Sequence, residues 1–401
     1  MAKRVLLVNK FYYPRGGDCV VVLNTQAQLR ESGVEAEVFA MDYPDNLPAR
    51  YQDRFASRVD FGGSKAAQWR AMRRALGNAG VGECFERVLD DFKPDVVHLH
   101  NIHSYLSPVV AQLAHARGVR VVWTLHDYKL LCPRYDCLLD GKPCDKCIAG
   151  SKFNAVSHRC MKGSLPASVV GWLEALKWNR RTLEHCVDTF VCPSEFMAGK
   201  MRQGGFQPGK ITVLNNFLDP VKLQQYQAVD SGAPRDGYYC YVGRLSAEKG
   251  VDALLDVASR LPYRLKVAGG GPLAEEMQRR YAGCANIELL GMLDAGRVAR
   301  LLSGARLSVM PSQCNDNNPL SVVESLCAGT PVAGSQMGGI PELIDGDSGT
   351  VFRPFDREAL AAAITASMAR DWDHAGIARR ALQRFAPQRH MQALMRDIYR
   401  L

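Results

Sequence analysis

Short runs of β-branched and aromatic residues alternate with longer stretches of helical periodicity along the chain. This alternation favours parallel sheets whose strands are joined by crossover helices. In the first half the predicted strands are Arg4–Asn9, Ala36–Ala40, Val96–His100, Val119–Thr124, Thr189–Cys192 and Ile211–Leu214. The pattern then stops and restarts, and the later strands are Tyr238–Val242, Arg264–Ala268, Ile287–Leu290, Leu307–Met310, Pro331–Ala333 and Thr350–Phe352. The sequence therefore predicts an α/β protein with two doubly wound halves.

A chain of 401 residues is too long for one ordinary α/β core, which agrees with two domains. We expect the first domain at residues 1–214 and the second at 238–385, joined by a polar linker at 215–237. The last helix, 386–401, is expected to cross back to the first domain. The predicted helices include Asp18–Ser32, Ala66–Phe92, Leu165–His185 and Leu320–Ala328.

The net charge of +9 is concentrated in the first half of the chain. Residues 1–213 contain 29 Lys and Arg against 21 Asp and Glu, whereas residues 214–401 contain 21 against 20. A basic half can bind an anionic membrane, a phosphorylated substrate or nucleic acid, or its charge can serve solubility alone. Because the basic residues show no pattern of stacking aromatics, nucleic acid is not expected as a partner.

No apolar run approaches the ~20 residues that a membrane-spanning helix needs. The first residues, Met1–Asn9, form a strand pattern rather than a signal peptide. We therefore expect a cytoplasmic protein, in which the 13 cysteines are reduced or bind metal rather than forming disulfides.

One predicted helix has a basic and partly apolar face. In the segment Lys65–Leu76 one stripe contains Trp69, Met72 and Leu76, with Arg70, Arg73 and Arg74 beside it. Such a face can lie on an anionic membrane, or its apolar stripe can simply face the core of its own domain. The basic first half favours a weak, peripheral contact with the inner face of the membrane.

The segment with the most specific chemistry is Met310–Val332, which reads as strand, polar loop, helix, tight turn and strand. Free backbone amides near Leu320 and Ser321, at the predicted helix start, can bind phosphate oxygens. Glu324 lies one turn further on, within reach of a ribose diol. Asp316 lies on the loop, where it can accept hydrogen bonds from the hydroxyls of a sugar.

Two other kinds of segment also follow predicted strands. In Val242–Gly250, the side chains of Arg244 and Lys249 can reach a diphosphate, although ordinary surface charge explains them equally well. The glycine turns at 16–17 and 269–271 open helices, so the backbone there can approach a ligand closely.

The order of these motifs resembles the family four, or group 1, glycosyltransferases of the GT-B fold. It runs through Gly16-Gly17, Thr124-Leu-His126, Gly-Arg-x4-Lys at 243–249, Gly-Gly-Gly-Pro at 269–272, the acid-x7-Glu pair and Gly-Thr-Pro-Val at 329–332. The resemblance covers nearly the whole chain. It implies two Rossmann-like domains facing across a cleft, the second binding a nucleotide sugar and the first an acceptor.

The resemblance also implies an activity. Such a protein is a retaining hexosyltransferase that uses a UDP- or GDP-sugar and a glycan or lipid-linked glycan acceptor, as in cell-surface polysaccharide synthesis. The departing phosphate takes the proton of the acceptor during front-face attack, and no catalytic metal is expected.

Single residues receive roles from the same resemblance. Those expected to bind the donor are Gly16, Gly17, Arg244, Lys249, Gly291, Met292, Asn317, Asn318, Leu320, Ser321 and Glu324. Within this set Arg244 and Lys249 neutralise the diphosphate, and Glu324 binds the ribose. Asp316 replaces the first Glu of the family's paired-Glu motif. Because Asp is one methylene shorter, the sugar must lie closer or be contacted by the neighbouring asparagines.

The residues expected to act in catalysis are His126, Asp316, Arg244 and Lys249. His126 ends a strand of the first domain, and the matching His of the family lies beside the donor sugar. Asn101 and His103 follow another strand and are expected near the acceptor. His98 and His100 alternate along that strand, which favours a structural role for both.

Five cysteines lie within 29 residues, in a stretch at 128–164 without clear periodicity. The two-residue gap between Cys144 and Cys147 presents two thiolates to one metal, and Cys132 and Cys160 can complete a tetrahedral site. Cys137 is a substitute for Cys132, and His158 is another candidate. The pattern favours a structural zinc in an insertion of the first domain, with an iron–sulfur cluster or free thiols as alternatives.

Other functions are weighed against this one. A nucleotide-sugar epimerase of the same fold needs its own acid and base carboxylates, and a glycogen-type phosphorylase needs a pyridoxal lysine. No motif indicates either. A non-catalytic nucleotide-sugar-binding protein would be expected to lack Lys249 or Glu324, and both are present.

Overall fold

The computed structural model describes residues 3–77 and 80–401. Within this part the chain divides into two compact units. The first unit contains the residues up to Cys137, together with Cys144–Asn215 and His390–Leu401. The second contains Leu138–Pro143 and Asn216–Arg389. Each unit has its own six-stranded sheet.

The sheet of the first unit is parallel, with the strand order β2-β1-β3-β4-β7-β8. Its strands are β1 (Arg4–Val8), β2 (Glu35–Phe39), β3 (Val96–Leu99), β4 (Arg120–Thr124), β7 (Thr189–Cys192) and β8 (Ile211–Val213). Two short strands, β5 (Leu138–Leu139) and β6 (Lys142–Pro143), form an antiparallel pair of their own. Every residue from Val5 to Val8 is fully buried, as expected for a parallel strand that is covered on both faces.

Nine helices and a helical turn precede or follow these strands in the described part of the chain. They are α1 (Gly17–Glu31), α2 (Lys65–Ala75), α3 (Val81–Phe92), α4 (His103–Leu106), α5 (Val109–Ala116), α6 (Asn154–Ser157), α7 (Leu165–Lys177), α8 (Arg180–Cys186), α9 (Glu195–Gln203) and a π-helical turn at Leu394–Tyr399. Tyr399 in this last turn is buried, and Arg120 Nε donates to the carbonyl of Ile398 over 2.8 Å. The end of the chain is therefore part of the first unit.

The second unit repeats the design, with the parallel order β11-β10-β9-β12-β13-β14. Its strands are β9 (Tyr238–Val242), β10 (Arg264–Ala268), β11 (Ile287–Gly291), β12 (Leu307–Met310), β13 (Val332–Ser335) and β14 (Gly349–Phe352). Its helices are α10 (Pro220–Gln227), α11 (Val251–Ala258), α12 (Ala274–Tyr281), α13 (Ala295–Gly304), α14 (Leu320–Cys327), α15 (Arg357–Ala369) and α16 (His374–Arg384), and α17 (Pro387–Ala393) leads from this unit into the first.

The predicted α/β fold is confirmed, and all twelve predicted strands are present with ends shifted by at most two residues. The predicted helix Ala66–Phe92 is wrong as a single helix, because α2 ends at Ala75 and α3 begins at Val81. Its residues 78 and 79 lie outside the described residues. The predicted helix Leu165–His185 is broken at Asn179, whose side chain caps α8 by accepting a hydrogen bond from Thr182 N.

Two segments differ from their sequence interpretation. The stretch predicted as a linker contains α10, which begins at Pro220 after the capping residue Asp219. The stretch at 128–164 is predicted to be an insertion without clear periodicity. Part of it nevertheless belongs to the main core of the first unit, in which Leu131, Cys137 and Ile148 are buried.

Candidate functional site

In the second unit the strand order changes direction between β9 and β12, which are neighbours in the sheet. Open α/β sheets bind ligands outside the carboxyl ends of their strands at such a point. The loop after β9 contains Arg244 and Lys249, and the loop after β12 contains Asp316. The fold thus brings the predicted cations and the predicted acid onto two adjacent loops.

Lys249 and Asp316 form an ion pair between these loops, with Lys249 Nζ donating to Asp316 Oδ1. Ser312 Oγ donates to the other carboxylate oxygen of Asp316 over 2.7 Å. Burial lowers the pKa of Lys249, but the charge and hydrogen bond of Asp316, together with the neighbouring Cys314 and Glu248, outweigh this effect and raise the pKa above its ordinary value. Lys249 is therefore a fixed positive charge, and Asp316 has a fixed orientation.

Arg244 differs from Lys249 in its surroundings. It is exposed, and its guanidinium makes no hydrogen bond or ion pair with any described residue. Its backbone is fixed, because Tyr241 Oη donates to the Arg244 carbonyl over 2.8 Å. Arg244 is thus a cation on a fixed backbone that is available to an anionic ligand.

The glycines after β10 pack directly against the Arg244 loop. Gly269 has a φ of 143°, and a Cβ atom there would overlap the carbonyl oxygen of Gly243. Leu245 N donates to the carbonyl of Gly270 over 2.9 Å. Close packing of two loops is therefore a sufficient reason for glycine here, beside the approach to a ligand that the sequence suggested.

A second pair of glycines, Gly338 and Gly339, follows β13 and fixes the Asp316 loop. Gly338 has a φ of 56°, and a Cβ atom there would overlap the carbonyl oxygen of Asp316. Gly339 N donates to that same carbonyl over 2.7 Å. Sequence reasoning missed this pair, although two adjacent glycines after a predicted strand were a visible signal.

Glu324 lies on α14 and is buried, with its Oε1 2.5 Å from Lys222 Nζ. Lys222 is in the first turn of α10, where its backbone amide donates to the capping Asp219. Sequence reasoning missed Lys222 because it treated this stretch as a linker. The Asp-Pro pair at 219–220 is typical of a helix start and could have revealed it. Each of the two predicted acids therefore has a lysine partner.

No side chain caps the start of α14 in the described structure. The backbone amides of its first turn, including those of Leu320 and Ser321, therefore point out of the helix without a side-chain acceptor. Before it, Asn318 is buried and supports the loop, since its Oδ1 accepts from Asn216 N over 3.1 Å. The Nδ2 atom of Asn318 is buried without a hydrogen-bond partner in the described structure. Asn317 precedes it and is partly exposed.

Gly291 and Met292 follow at the carboxyl end of β11, beside the glycine loop. The carbonyl of Gly291 accepts from Gly269 N over 2.8 Å, and Met292 is 78% exposed. These two residues, predicted to bind the donor, are thus at the same edge of the sheet as Arg244.

In the first unit the strand order changes direction between β1 and β3. Gly16 and Gly17 follow β1 at the start of α1, and a Cβ atom at Gly17 would meet nothing within 4 Å. Asn101 follows β3, and its Nδ2 donates to Asp18 Oδ2 over 3.0 Å. Open space at Gly17 and a fixed amide at Asn101 thus lie at the edge of this sheet where open α/β sheets generally bind ligands.

The predicted histidines lie at this same edge. His103 Nε2 is 3.1 Å from Asp127 Oδ1. Burial raises the pKa of Asp127, but interactions with His103, a hydrogen bond from the backbone of Lys129 and the charge of Lys10 together outweigh it and hold the pKa at about 2. For His126, burial lowers the pKa against the opposing charge of Asp18. His126 is therefore neutral at physiological pH.

His100 contacts the predicted catalytic His126, with 3.0 Å between His100 Nδ1 and His126 Nε2. Burial lowers the pKa of His100 well below its ordinary value, so it is also neutral. A proton on His100 Nε2 would be a buried donor without an acceptor in the described structure. We infer that His100 carries its proton on Nδ1 and donates it to His126, which leaves the proton of His126 on Nδ1.

His98 continues the chain of contacts towards the end of the protein. Its ring nitrogens lie 2.6 Å from Tyr399 Oη and 2.7 Å from Thr124 Oγ1, and burial lowers its pKa to about 3. The rings of His98 and His100 are 4.1 Å apart. Sequence reasoning assigned both histidines to structure and missed that His100 supports the ring of His126.

None of the five clustered cysteines forms a disulfide. Hydrogen bonds from Cys137 and Cys147 lower the pKa of Cys132, and the same bonds raise the pKa values of the two donors. Three of the sulfurs thus converge, and the predicted substitute Cys137 is one of them. Across residues 3–77 and 80–401, no group of three or more His, Cys, Asp or Glu side chains is arranged as a ready metal site.

Comparison with known families follows the division into two units. Residues 16–216 match the family model described as a glycosyl transferase 4-like domain, and residues 237–370 match the one described as glycosyl transferases group 1. The chain belongs to the group 1 glycosyltransferases. The resemblance drawn from the motifs is therefore confirmed.

Individual relatives of this glycosyltransferase chain match part of its length. An uncharacterized 42.6 kDa protein from the cps region of Klebsiella pneumoniae is 28% identical over 67% of this chain and 64% of the relative. WcaL of Salmonella typhimurium, a putative colanic acid biosynthesis glycosyltransferase, is 26% identical over 53% of this chain and 55% of the relative. The chain thus spans less than two thirds of these relatives.

Among solved structures, HepE of Anabaena in complex with UDP matches with a TM-score of 0.63. The match covers 100% of both chains at 15% identity. This likeness shows that the chain shares the fold of that protein, with two Rossmann-like domains.

Proposed function

We propose that this group 1 glycosyltransferase is a retaining hexosyltransferase that moves a sugar from a UDP- or GDP-sugar to a glycan or lipid-linked glycan. The observation that carries the proposal is the constellation at the edge of the second sheet, where Arg244, Lys249, Asp316 and Glu324 lie on adjacent loops and on α14. The cps-region and colanic acid relatives support a place in cell-surface polysaccharide synthesis.

In this proposal the diphosphate of the donor binds the exposed guanidinium of Arg244 and the free amides at Leu320 and Ser321. Preorganised donors and a helix start stabilise the negative charge that develops on the departing phosphate. Lys249 adds a fixed positive charge. Glu324, held by Lys222, accepts hydrogen bonds from the ribose hydroxyls. No catalytic metal is included.

We assign binding of the sugar itself to Asp316 and the neighbouring Asn317 and Asn318. His126 donates a further hydrogen bond to the sugar through Nδ1. The bond between C1 and the phosphate oxygen breaks, and a bond between C1 and the acceptor oxygen forms on the same face. The departing phosphate oxygen accepts the proton of the acceptor hydroxyl. Asn101 and His103 are assigned to the acceptor.

A screen of donors tests the proposal. We expect the purified protein to hydrolyse or transfer from one nucleotide class among UDP-, GDP- and ADP-sugars, and nuclear magnetic resonance of the first product should show the anomeric configuration of the donor. A product of inverted configuration would contradict the retaining mechanism. Tight donor binding without any turnover, with candidate acceptors present, would instead indicate a nucleotide-sugar-binding protein.

We also propose that the clustered cysteines hold one structural zinc ion. The convergence of Cys132, Cys137 and Cys147 supports this, and Cys144 or Cys160 is available as the fourth ligand. Elemental analysis of protein purified without chelator should find about one zinc per chain, and chelation should loosen residues 132–160 first. Protein with neither zinc nor iron would contradict the proposal, and iron in place of zinc would favour a cluster.

A peripheral contact with the anionic inner face of the membrane is the last part of the proposed function. Trp69 on α2 is 59% exposed, which supports a surface role for that side chain. Arg74, expected beside it on the surface, is instead buried and donates to the carbonyls of Ser57 and Tyr105. No helix in the described part of the chain is long and apolar enough to span a membrane.

A further inference from the structure

The helix α7 has its polar face turned towards the protein. Ser168, Gly171 and Glu174 are buried, at helical spacings of three residues. Glu174 forms an ion pair with Lys129 over 2.9 Å, and both of its carboxylate oxygens accept from Ser104 Oγ over 2.8 Å. The orientation of α7 is therefore fixed by the polar contacts of Glu174 rather than by burial of its leucines.

The opposite face of α7 presents apolar side chains to the outside. Leu165, Leu173 and Leu176 are each more than a third exposed, and so is Phe153, whose ring packs edge-on against Trp172 with centroids 5.4 Å apart. Single exposed apolar side chains are ordinary on a protein surface. A row of them along one helix, continued by an aromatic pair, is a contiguous exposed apolar surface of the kind found at interaction sites.

The exposed charged residues in the stretch that contains this face have one sign. Glu174 is the one acidic residue between positions 146 and 183, and it is buried in its ion pair. The exposed basic residues in that range are Lys146, Arg159, Lys162, Lys177 and Arg181. In the described structure none of these five forms an ion pair with an acidic side chain. The apolar face therefore belongs to a stretch whose exposed positive charges have no acidic partner in the described structure.

We propose that the α7 face docks on an anionic lipid bilayer. Leu165, Leu173, Leu176 and Phe153 would enter the boundary between headgroups and acyl chains, and the basic residues would contact lipid phosphates. A second copy of the chain fits less well, because it would bring two sets of positive charges together. At the end of α7, Trp178 Nε1 donates to the carbonyl of Ala75 over 2.8 Å, so α7 adjoins the end of α2.

This inference deepens the membrane contact in the proposed function and assigns it to a different helix. Vesicle binding requires no sugar donor. Failure of the lipid proposal and failure of the transferase proposal are therefore distinguishable.

The test is sedimentation of the full chain with vesicles of phosphatidylcholine, alone or mixed with phosphatidylglycerol, at low and high salt. The double variant Leu173→Glu/Leu176→Glu should lose about tenfold or more of its partitioning to the mixed vesicles. Leu47→Glu, at an exposed leucine of the same unit, is the matched control and should bind as the parent does. Lys162→Gln/Arg181→Gln should weaken binding at low salt and leave it unchanged at high salt.

Because the substituted leucines are exposed, the variants should keep the melting temperature of the parent, which a thermal scan checks. Parental binding by the double variant would overturn the proposal, as would equal binding to both vesicle types. A dimer of the parent chain that the double variant disperses, without vesicle binding by either, would show that the face serves a second copy instead.

Discussion

Replacing Lys249 or Glu324 by Ala should weaken binding of the donor's nucleoside diphosphate by about one to two decades. Each change removes a charged hydrogen-bonding group whose loss costs roughly 1.5–3 kcal/mol. Arg244→Ala should have a similar effect, since its exposed guanidinium is assigned to the same diphosphate. Calorimetry with the nucleoside diphosphate found in the donor screen measures the change, and Arg353→Ala, at an exposed arginine of the same unit, is the control.

The three variants separate direct binding from support of the loops. Lys249 and Glu324 each have an ion-pair partner, so their loss also disturbs the protein. Arg244 has no side-chain partner in the part of the chain that the structure describes, so Arg244→Ala should keep the melting temperature of the parent. Unchanged affinity in both Lys249→Ala and Glu324→Ala would rule out the assigned donor site.

Gly269→Ala should destabilise the second unit by about 3 kcal/mol or more. The residue has a φ of 143°, and strained backbone conformations of this kind cost about 1–3 kcal/mol for other residues. The added methyl group would also overlap the carbonyl oxygen of Gly243, which belongs to a backbone that cannot turn aside as a side chain can. Calorimetric unfolding should show a lower transition for this unit, with the Arg244 loop displaced.

The matched control for this variant is Gly283→Ala. Gly283 lies in the same unit, has no left-handed backbone, and a Cβ atom there would meet nothing within 4 Å. It should melt within a degree or so of the parent chain. Parental stability in Gly269→Ala would mean that the two loops are further apart than described.

The strands, and the loops that carry the proposed donor site, could be predicted because each has a local signal. Buried parallel strands such as Val5–Val8 read as continuous apolar runs, and their ends are marked by polar and glycine residues. Arg244, Lys249 and Asp316 follow such ends directly. Their spatial neighbourhood then follows from the rule that parallel strands present their carboxyl ends at one edge.

The contacts that could not be predicted join residues that are distant in sequence. Lys222 reaches Glu324 across 102 positions, and His98 reaches Tyr399 across 301. The orientation of α7 depends on Lys129 and Ser104, which pair with Glu174 from outside the helix. The periodicity of a sequence predicts that a helix has an apolar and a polar face. Which of the two faces is buried depends on contacts with residues that are distant in sequence.

Because the last residues of the chain complete the first unit, its assembly depends on the order of synthesis. The hydroxyl of Tyr399 can meet His98 only after residues 216–389, which form most of the second unit, have been synthesised. Until then the contacting rings of His98, His100 and His126 lack the hydroxyl of Tyr399, although all the strands of the first sheet have already been synthesised. The first unit is therefore started before the second unit and completed after it, and a nascent chain acquires the contact between His98 and Tyr399 only once both units have been synthesised.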